Sequence, residues 1–272
     1  MKRHLIFIMF SVFFLPSTTV SACSIVYYID KISGKIYVAN NEDYWLDTDA
    51  YIQIEPQSKN KLARLWYGWD DFAQGGVNSA GLFFDGAVTP KLNDSKKYKK
   101  IKGNLGDHIL AHCKTVNDAL ALLQKEKIAL GNAHMVLGDA TGNAVVVEWI
   151  NGERKLIHIK DGYLIATNFL LSDPEKGNYP CYRYKSIEQR IQKLKSQDTT
   201  ADMRSFGNVV GGAVQLPQQD SNGKSGGTLY TSFINITDME FGLIYKLDNN
   251  KITRFNLKEE FEKGKRRVIP LK

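Results

Sequence analysis

The stretch Cys23-Ser-Ile-Val-Tyr-Tyr-Ile-Asp30-Lys-Ile-Ser-Gly-Lys-Ile-Tyr-Val-Ala-Asn-Asn-Glu-Asp-Tyr-Trp45 decides the fold. Residues 23–30 are rich in β-branched and aromatic side chains, Ser33-Gly34 supplies a turn, and residues 35–39 resume as a second strand. That pattern predicts a β-hairpin. A hairpin returns the end of its second strand to the start of its first, so Asn41 and Asp43 are expected close to Cys23.

Upstream, Lys2 and Arg3 precede an apolar run over residues 5–15 that only Ser11 interrupts, and Pro16 leads into Val20-Ser21-Ala22. This is the layout of a secretory signal peptide. Its 11-residue apolar run falls well short of the roughly 20 residues needed to cross a bilayer as a helix. Small residues before the cut place cleavage between Ala22 and Cys23, which predicts an exported, periplasmic or secreted, mature chain beginning at Cys23. About 250 residues then remain, one large domain over 23–272 with ample core.

The net charge of +7 comes from Lys and Arg spread over the whole chain, thickening only at 96–102 and 263–267. A scattered excess of this kind serves solubility, and the absence of any recognisable binding motif in an exported chain argues against nucleic acid as a partner. Three cysteines in an oxidising compartment call for an explanation of the odd thiol. The economical one leaves Cys23 free and reactive, with Cys113 and Cys181 either paired or buried and inert.

Further strands are expected at 51–55 and 81–88. Helical patterning covers 104–127, where Thr115-Val-Asn-Asp118 resembles a capping box. A meander follows at 133–167, then an amphipathic basic helix at 182–194, a second helix at 200–209, a polar Gly-rich loop at 211–227 and a final hairpin at 228–247. Strands, helices, strands and helices in blocks predict an α+β fold with mostly antiparallel sheets.

A thiol on the first residue of a chain has its own α-amine within reach. With an ordinary pKa of about 7.7 to 8.0, that amine can act as base for the nucleophile. Two other readings of Cys23 stand beside this one: a residue that merely follows a signal, or a lipidated cysteine anchoring a non-catalytic binding lipoprotein. An apolar strand beginning at once, where a lipoprotein has a flexible tether, argues against the lipid. A carboxylate at Asp43 would orient the amine by a charge-assisted contact.

Cys23, the segment Asn40-Asn-Glu-Asp-Tyr-Trp45, Gln74-Gly-Gly-Val-Asn-Ser-Ala-Gly-Leu82, the strands around Asp139-Ala-Thr-Gly142, and Ala166-Thr-Asn-Phe169 follow one another in an order that resembles the N-terminal-nucleophile hydrolases. Specifically, the chain resembles the choloylglycine hydrolase and penicillin V acylase group and the related acyltransferases of penicillin biosynthesis. The resemblance implies a four-layer αββα sandwich. It implies a cysteine amidase or acylase acting on a small-molecule N-acyl amide through a thioester, with no cofactor and no metal, and it is compatible with a homo-oligomer such as a tetramer. By motif, Asp43 matches the family's aspartate near the amino group and Asn168 its asparagine near the oxyanion. Cys23, Asp43 and Asn168 are therefore the candidate catalytic residues, and Asn41, Trp45 and Asn78 the candidate substrate-binding ones.

Two departures stand out. Where the family carries an arginine ahead of the aspartate, this chain has Ala39-Asn40. No motif places the later catalytic arginine: Arg183, Arg190 and Arg204 are candidates by chemistry alone, and each reads as a helix-surface residue. Asn78 with Gly81 also reads as a turn beneath the site. The cluster Trp66, Tyr67, Trp69 and Phe72 reads as a loop that lines either a core or an acyl pocket. His108, His112 and His134 lack the ligand set of a zinc site.

Overall fold

The computed structural model describes residues 23–91, 98–99, 103–177 and 179–272, so the expected signal segment 1–22 and most of the basic cluster at 96–102 lie outside the described residues. In chain order the elements are β1 (Ser24–Ile29), β2 (Ile36–Trp45), β3 (Tyr51–Glu55), β4 (Arg64–Trp69), β5 (Phe72–Asn78), β6 (Phe83–Val88), α1 (Leu105–His112) and α2 (Val116–Glu126). There follow β7 (Ala133–Gly138), β8 (Ala144–Ile150), β9 (Glu153–His158), β10 (Tyr163–Ala166), α3 (Tyr182–Lys195) and α4 (Met203–Val210). The chain then forms β11 (Gln218–Gln219), β12 (Ser225–Asn235), β13 (Glu240–Tyr245), β14 (Ile252–Asn256), α5 (Leu257–Glu262) and β15 (Arg267–Pro270).

The strands make two antiparallel sheets. One runs β10-β1-β2-β12-β13-β14 with β11 on β12; the other runs β15-β3-β4-β5-β6-β7-β8-β9. Because side chains alternate across a strand, β1 sends Cys23, Ile25 and Tyr27 into the apolar layer between the sheets and Val26 and Tyr28 to the opposite face. That outer face is covered by Ile187 and Ile191 of α3 and by Phe206, Val209 and Val210 of α4. Phe206 packs on Tyr28 and Tyr37, with ring centroids 6.0 and 5.6 Å away; such pairs contribute about 0.5 to 1.5 kcal/mol beyond burial. On the other sheet, Ile109, Leu110, Ala119 and Leu123 of α1 and α2 cover Trp66, Phe84, Met135 and Val145. The layers are thus helix, sheet, sheet, helix, the αββα arrangement.

Local chemistry sets the helix ends. Thr115 and Asp118 close the expected capping box, which opens α2 at Val116, so the helix starts three residues earlier than its apolar run suggests. Asn104 caps α1 by accepting from the Asp107 amide. The loop expected around Trp66, Tyr67, Trp69 and Phe72 is corrected to the hairpin of β4 and β5. All six residues of β4 are buried, so the alternation that betrays a strand is hidden. The meander is also not one sheet: β10 leaves it and pairs with β1. After the expected final hairpin come β14, α5 and β15. Cys113 and Cys181 are free thiols, the first buried and the second half-buried.

Candidate active site

The hairpin register places Ser24 opposite Asn41, which sets Cys23 beside the end of β2. From there the two faces of the strands carry different chemistry. On the inner face the Cys23 thiol donates to Glu42 Oε1 at 3.1 Å, and Asn40 Nδ2 donates to Glu42 Oε2 at 3.0 Å. Asp85 lies in the same interior. It accepts from Tyr67 Oη at 2.9 Å and from the Gly86 amide at 2.8 Å, and Ser232 Oγ donates to Tyr67 Oη at 2.9 Å. Gly75 makes this possible. It stands between Tyr67 and Asp85 in the register, and a Cβ there would lie 2.1 Å from the Asp85 carboxylate and 2.6 Å from the Tyr67 ring.

On the helix-facing side, Arg183 gathers the remaining groups. Its Nη1 donates to the Cys23 carbonyl oxygen at 2.8 Å and to Ser24 Oγ at 3.3 Å, its Nη2 donates to Asn168 Oδ1 at 2.9 Å, and Asp43 Oδ2 lies 3.5 Å from Nη1. Thr228 Oγ1 donates to the other Asp43 oxygen at 2.6 Å. Asn168 Nδ2 donates to the Val88 carbonyl at 2.8 Å, which uses one of its two N–H groups. The Asn168 loop is tied down by Glu148. This buried carboxylate accepts from the Leu171 amide at 2.8 Å, the Ser172 amide at 3.0 Å, Ser172 Oγ at 2.5 Å and His134 Nδ1 at 3.0 Å.

Burial dominates the electrostatics. It pushes the Cys23 thiol well above its ordinary range, and the charges of Glu42, Asp43 and Asp85 push it further. Burial lifts Glu42 to about 7 against hydrogen bonds from Cys23 and Asn40. It lifts Asp43 to about 8, opposed by the Thr228 hydroxyl and the Arg183 charge. Asp85 is raised well above the carboxylate range by burial and by Glu42. Glu148 is held below its ordinary value, because the hydrogen bonds from His134 and Ser172 outweigh its burial.

Cys23, Asp43 and Asn168, separated by up to 145 positions, all meet around Arg183. The expectation of a helix-surface Arg183 is corrected: it is 6 % exposed, whereas Arg190 and Arg204 stay exposed. Asn41 and Asn78 are not placed to hold a substrate. Asn41 faces the helix layer, donating to the Val210 carbonyl and accepting from Thr231 Oγ1. Asn78 is spent on the Leu110 and Cys113 carbonyls and on the Ala80 and Leu82 amides. Trp45 sits half-buried at the end of β2 with Lys224 Nζ 4.8 Å from its ring centroid. Its neighbour Tyr44 stacks on Trp69 at 4.5 Å, so the aromatic cluster serves the packing of the sheets. Glu42, Asp85 and Glu148 were missed. For Glu42 the signal was there, since it shares the inward parity of Ile36, Val38 and Asn40. Among the described residues no three His, Cys, Asp or Glu side chains gather as a metal site, and no helix is long and apolar enough to cross a membrane.

The family model for acyl-coenzyme A:6-aminopenicillanic acid acyl-transferase matches residues 32–250. Among solved structures, the chain is similar to a mutant conjugated bile acid hydrolase from Clostridium perfringens, with a TM-score of 0.72, 18% identity, and 92% of this chain and 96% of that one covered. It is also similar to penicillin V acylase from Agrobacterium tumefaciens, with a TM-score of 0.68, 17% identity and 87% of each chain covered. At these identities the likeness establishes the αββα fold. No curated protein matches the sequence.

Proposed function

Because the chain belongs to the acyl-coenzyme A:6-aminopenicillanic acid acyl-transferase family, we propose that it cleaves a linear amide bond of a small N-acyl compound with Cys23 as nucleophile. The reading includes export and removal of residues 1–22, which gives Cys23 a free α-amine. One observation carries it: Arg183 draws Asp43, the half-buried Asn168 and the Cys23 backbone into one cluster at the start of β1.

In this reading the Cys23 sulfur attacks the amide carbonyl, the C–N bond breaks to release the amine, and water hydrolyses the thioester. Asp43 Oδ2, which has no hydrogen-bond partner among the described residues, holds the α-ammonium. The uncommitted N–H of Asn168 stabilises the oxyanion. Removing such a donor costs about 2.7 to 4 kcal/mol of transition-state stabilisation where it has been tested. Arg183 fixes both by holding Asn168 Oδ1 and the Cys23 carbonyl at once, a fork that a lysine cannot reproduce.

The test is to recover the protein from an exporting host, establish by intact mass that it begins at an unmodified Cys23, and screen it against N-acyl amides. Hydrolysis that vanishes in a folded Cys23→Ala variant supports the reading, and undiminished hydrolysis in that variant sinks it. The family's name favours a second reading, transfer of the acyl group to an amine in place of water; added amines that divert product into a new amide would establish it. The intact mass also separates the third reading, lipidation at Cys23, because an acylated α-amine cannot take part in the cleavage.

A further inference from the structure

Cys23 has a second titratable neighbour besides its own amine. The Glu42 carboxylate accepts the thiol hydrogen bond at 3.1 Å, on the face opposite Arg183, whose guanidinium bonds the Cys23 carbonyl oxygen. The titratable groups near Glu42 on the inner face are Cys23 just before β1, Tyr67 of β4, Asp85 of β6 and Tyr230 of β12, with Asp43 next to it on the opposite face of its own strand. A thiol in such company rests protonated. An attacking sulfur must therefore lose its proton at the moment of attack, and the acceptor already in contact with it is Glu42.

We propose that Glu42 is a second acid–base residue of the site, taking the Cys23 thiol proton as sulfur attacks the amide and returning it when the thioester is cleaved. The proposal rests on the amidase reading above. The cycle starts with Glu42 ionised, Cys23 as thiol and its amine as ammonium. As the S–C bond forms, the S–H proton passes to Glu42 Oε1. The ammonium gives a proton to the leaving nitrogen as the C–N bond breaks, and the product amine departs. Water then adds to the thioester and gives its proton to the α-amine. When the C–S bond breaks, Glu42 returns its proton to the sulfur, so protons balance and the starting state is restored.

Two features fit Glu42 for this. Asn40 orients Glu42 Oε2 through a neutral amide rather than a cation, which leaves the carboxylate able to take a proton. Asn40 Oδ1 and Tyr230 Oη have no hydrogen-bond partner among the described residues, so the neighbourhood retains polar atoms able to turn toward Glu42 in either protonation state. A buried acid that stays near neutral in affinity is also a stronger base than an exposed glutamate, as general base catalysis at ordinary pH requires.

The test is the rate of Cys23 alkylation by iodoacetamide against pH, on mature wild type, Glu42→Gln and Glu42→Asp, with Cys23→Ala as blank and far-UV circular dichroism as the check on folding. If Glu42 takes the proton, Glu42→Gln labels about 10-fold or more slowly above pH 7 and loses the inflection near pH 7, while Glu42→Asp keeps an inflection at reduced rate. If Glu42 is only a buried charge, its removal makes the thiolate easier to form and Glu42→Gln labels faster, which overturns the proposal. Should Glu42→Gln not fold, a Glu42→Asp profile without the inflection overturns it equally. A Glu42-dependent inflection in a protein that hydrolyses no amide sinks the amidase reading and leaves the thiol–carboxyl relay standing. Wild type inert to iodoacetamide at every pH overturns both.

Discussion

Replacing Glu42 by Gln should make the protein more stable above neutral pH. Burial lifts the Glu42 carboxyl from an ordinary 4.5 to about 7. Below pH 4.5 it is protonated in folded and unfolded chains alike. Between 4.5 and 7 the folded state keeps a proton that the unfolded state has lost, so stability falls as pH rises, and above 7 the loss levels off. The full difference corresponds to about 3 kcal/mol at about 1.4 kcal/mol per pH unit. Gln fills the same volume, keeps an acceptor for Asn40 Nδ2 and never ionises. The stability difference between variant and wild type should therefore grow by about 3 kcal/mol from pH 4.5 to 8.5, whatever its constant offset. Urea unfolding of the mature proteins, followed by tryptophan fluorescence, would show this as a midpoint shift of about 1 to 1.5 M at a slope of about 2 to 3 kcal/mol per M. Glu42 also raises Asp43 and Asp85, so removing its charge eases their ionisation in the folded state and adds to the difference in the same direction. A gain below about 1 kcal/mol would mean that a counter-charge keeps Glu42 ionised, and the burial argument would be wrong.

Arg183→Ala should destabilise by about 1 to 3 kcal/mol for each buried acceptor it leaves unsatisfied, first the Cys23 carbonyl; Arg183→Lys should keep more stability yet lose hydrolysis, and equal activity of Lys and Arg there would refute the forked role. Asn168→Ala should lower kcat by about 10²- to 10³-fold with KM little changed, and a KM-only effect in steady-state kinetics would remove it from the oxyanion. Glu148 has a lowered pKa, so its contribution is fully present above about 4.5 and is lost as pH falls through the lower folded value; Glu148→Gln should flatten the acid side of the stability profile and loosen the Asn168 loop, and an unchanged acid limb in urea titrations would count against it. Gly75→Ala forces a Cβ against Asp85 and Tyr67 and should cost about 1 to 3 kcal/mol, with an unchanged melting temperature as the refuting result.

What could be read from the sequence was local. The hairpin of β1 and β2 shows in 23 consecutive residues, and its register alone brings Asp43 toward Cys23. The capping box of α2 and the amphipathic α3 are likewise written within a few turns. The β4–β5 hairpin was not legible because β4 is buried on both faces, which erases the period of two that marks a half-buried strand. Arg183 was taken for a surface residue because its helix is basic overall. Yet it continues the stripe of Ile187, Ile191 and Leu194, and a charge on the buried stripe of a helix is a site signal. Glu148 was hidden in another way. It sits within the buried run of β8, and its partners, His134, Leu171 and Ser172, come from other segments.

The antiparallel register explains why sulfur and guanidinium lie on opposite sides of one strand. Since the start of β1 meets the end of β2, the polar residues of the hairpin collect at one end of the sandwich, while Tyr27 and Val38 keep the middle apolar. Within that end, parity sorts them: Cys23, Asn40 and Glu42 turn inward, and Ser24 and Asn41 turn to the helices. A one-residue slip of β2 would invert the sorting. Glu42 would then face the helix layer and Asn41 the thiol, and the buried carboxylates would lose their enclosure. The bulge between Thr228 and Tyr230, opposite Glu42 and Asp43, falls at the same end. It lets Asp43 meet Thr228 and Arg183 while Glu42 stays with the sulfur, so adjacent acids of one strand serve the two faces of Cys23.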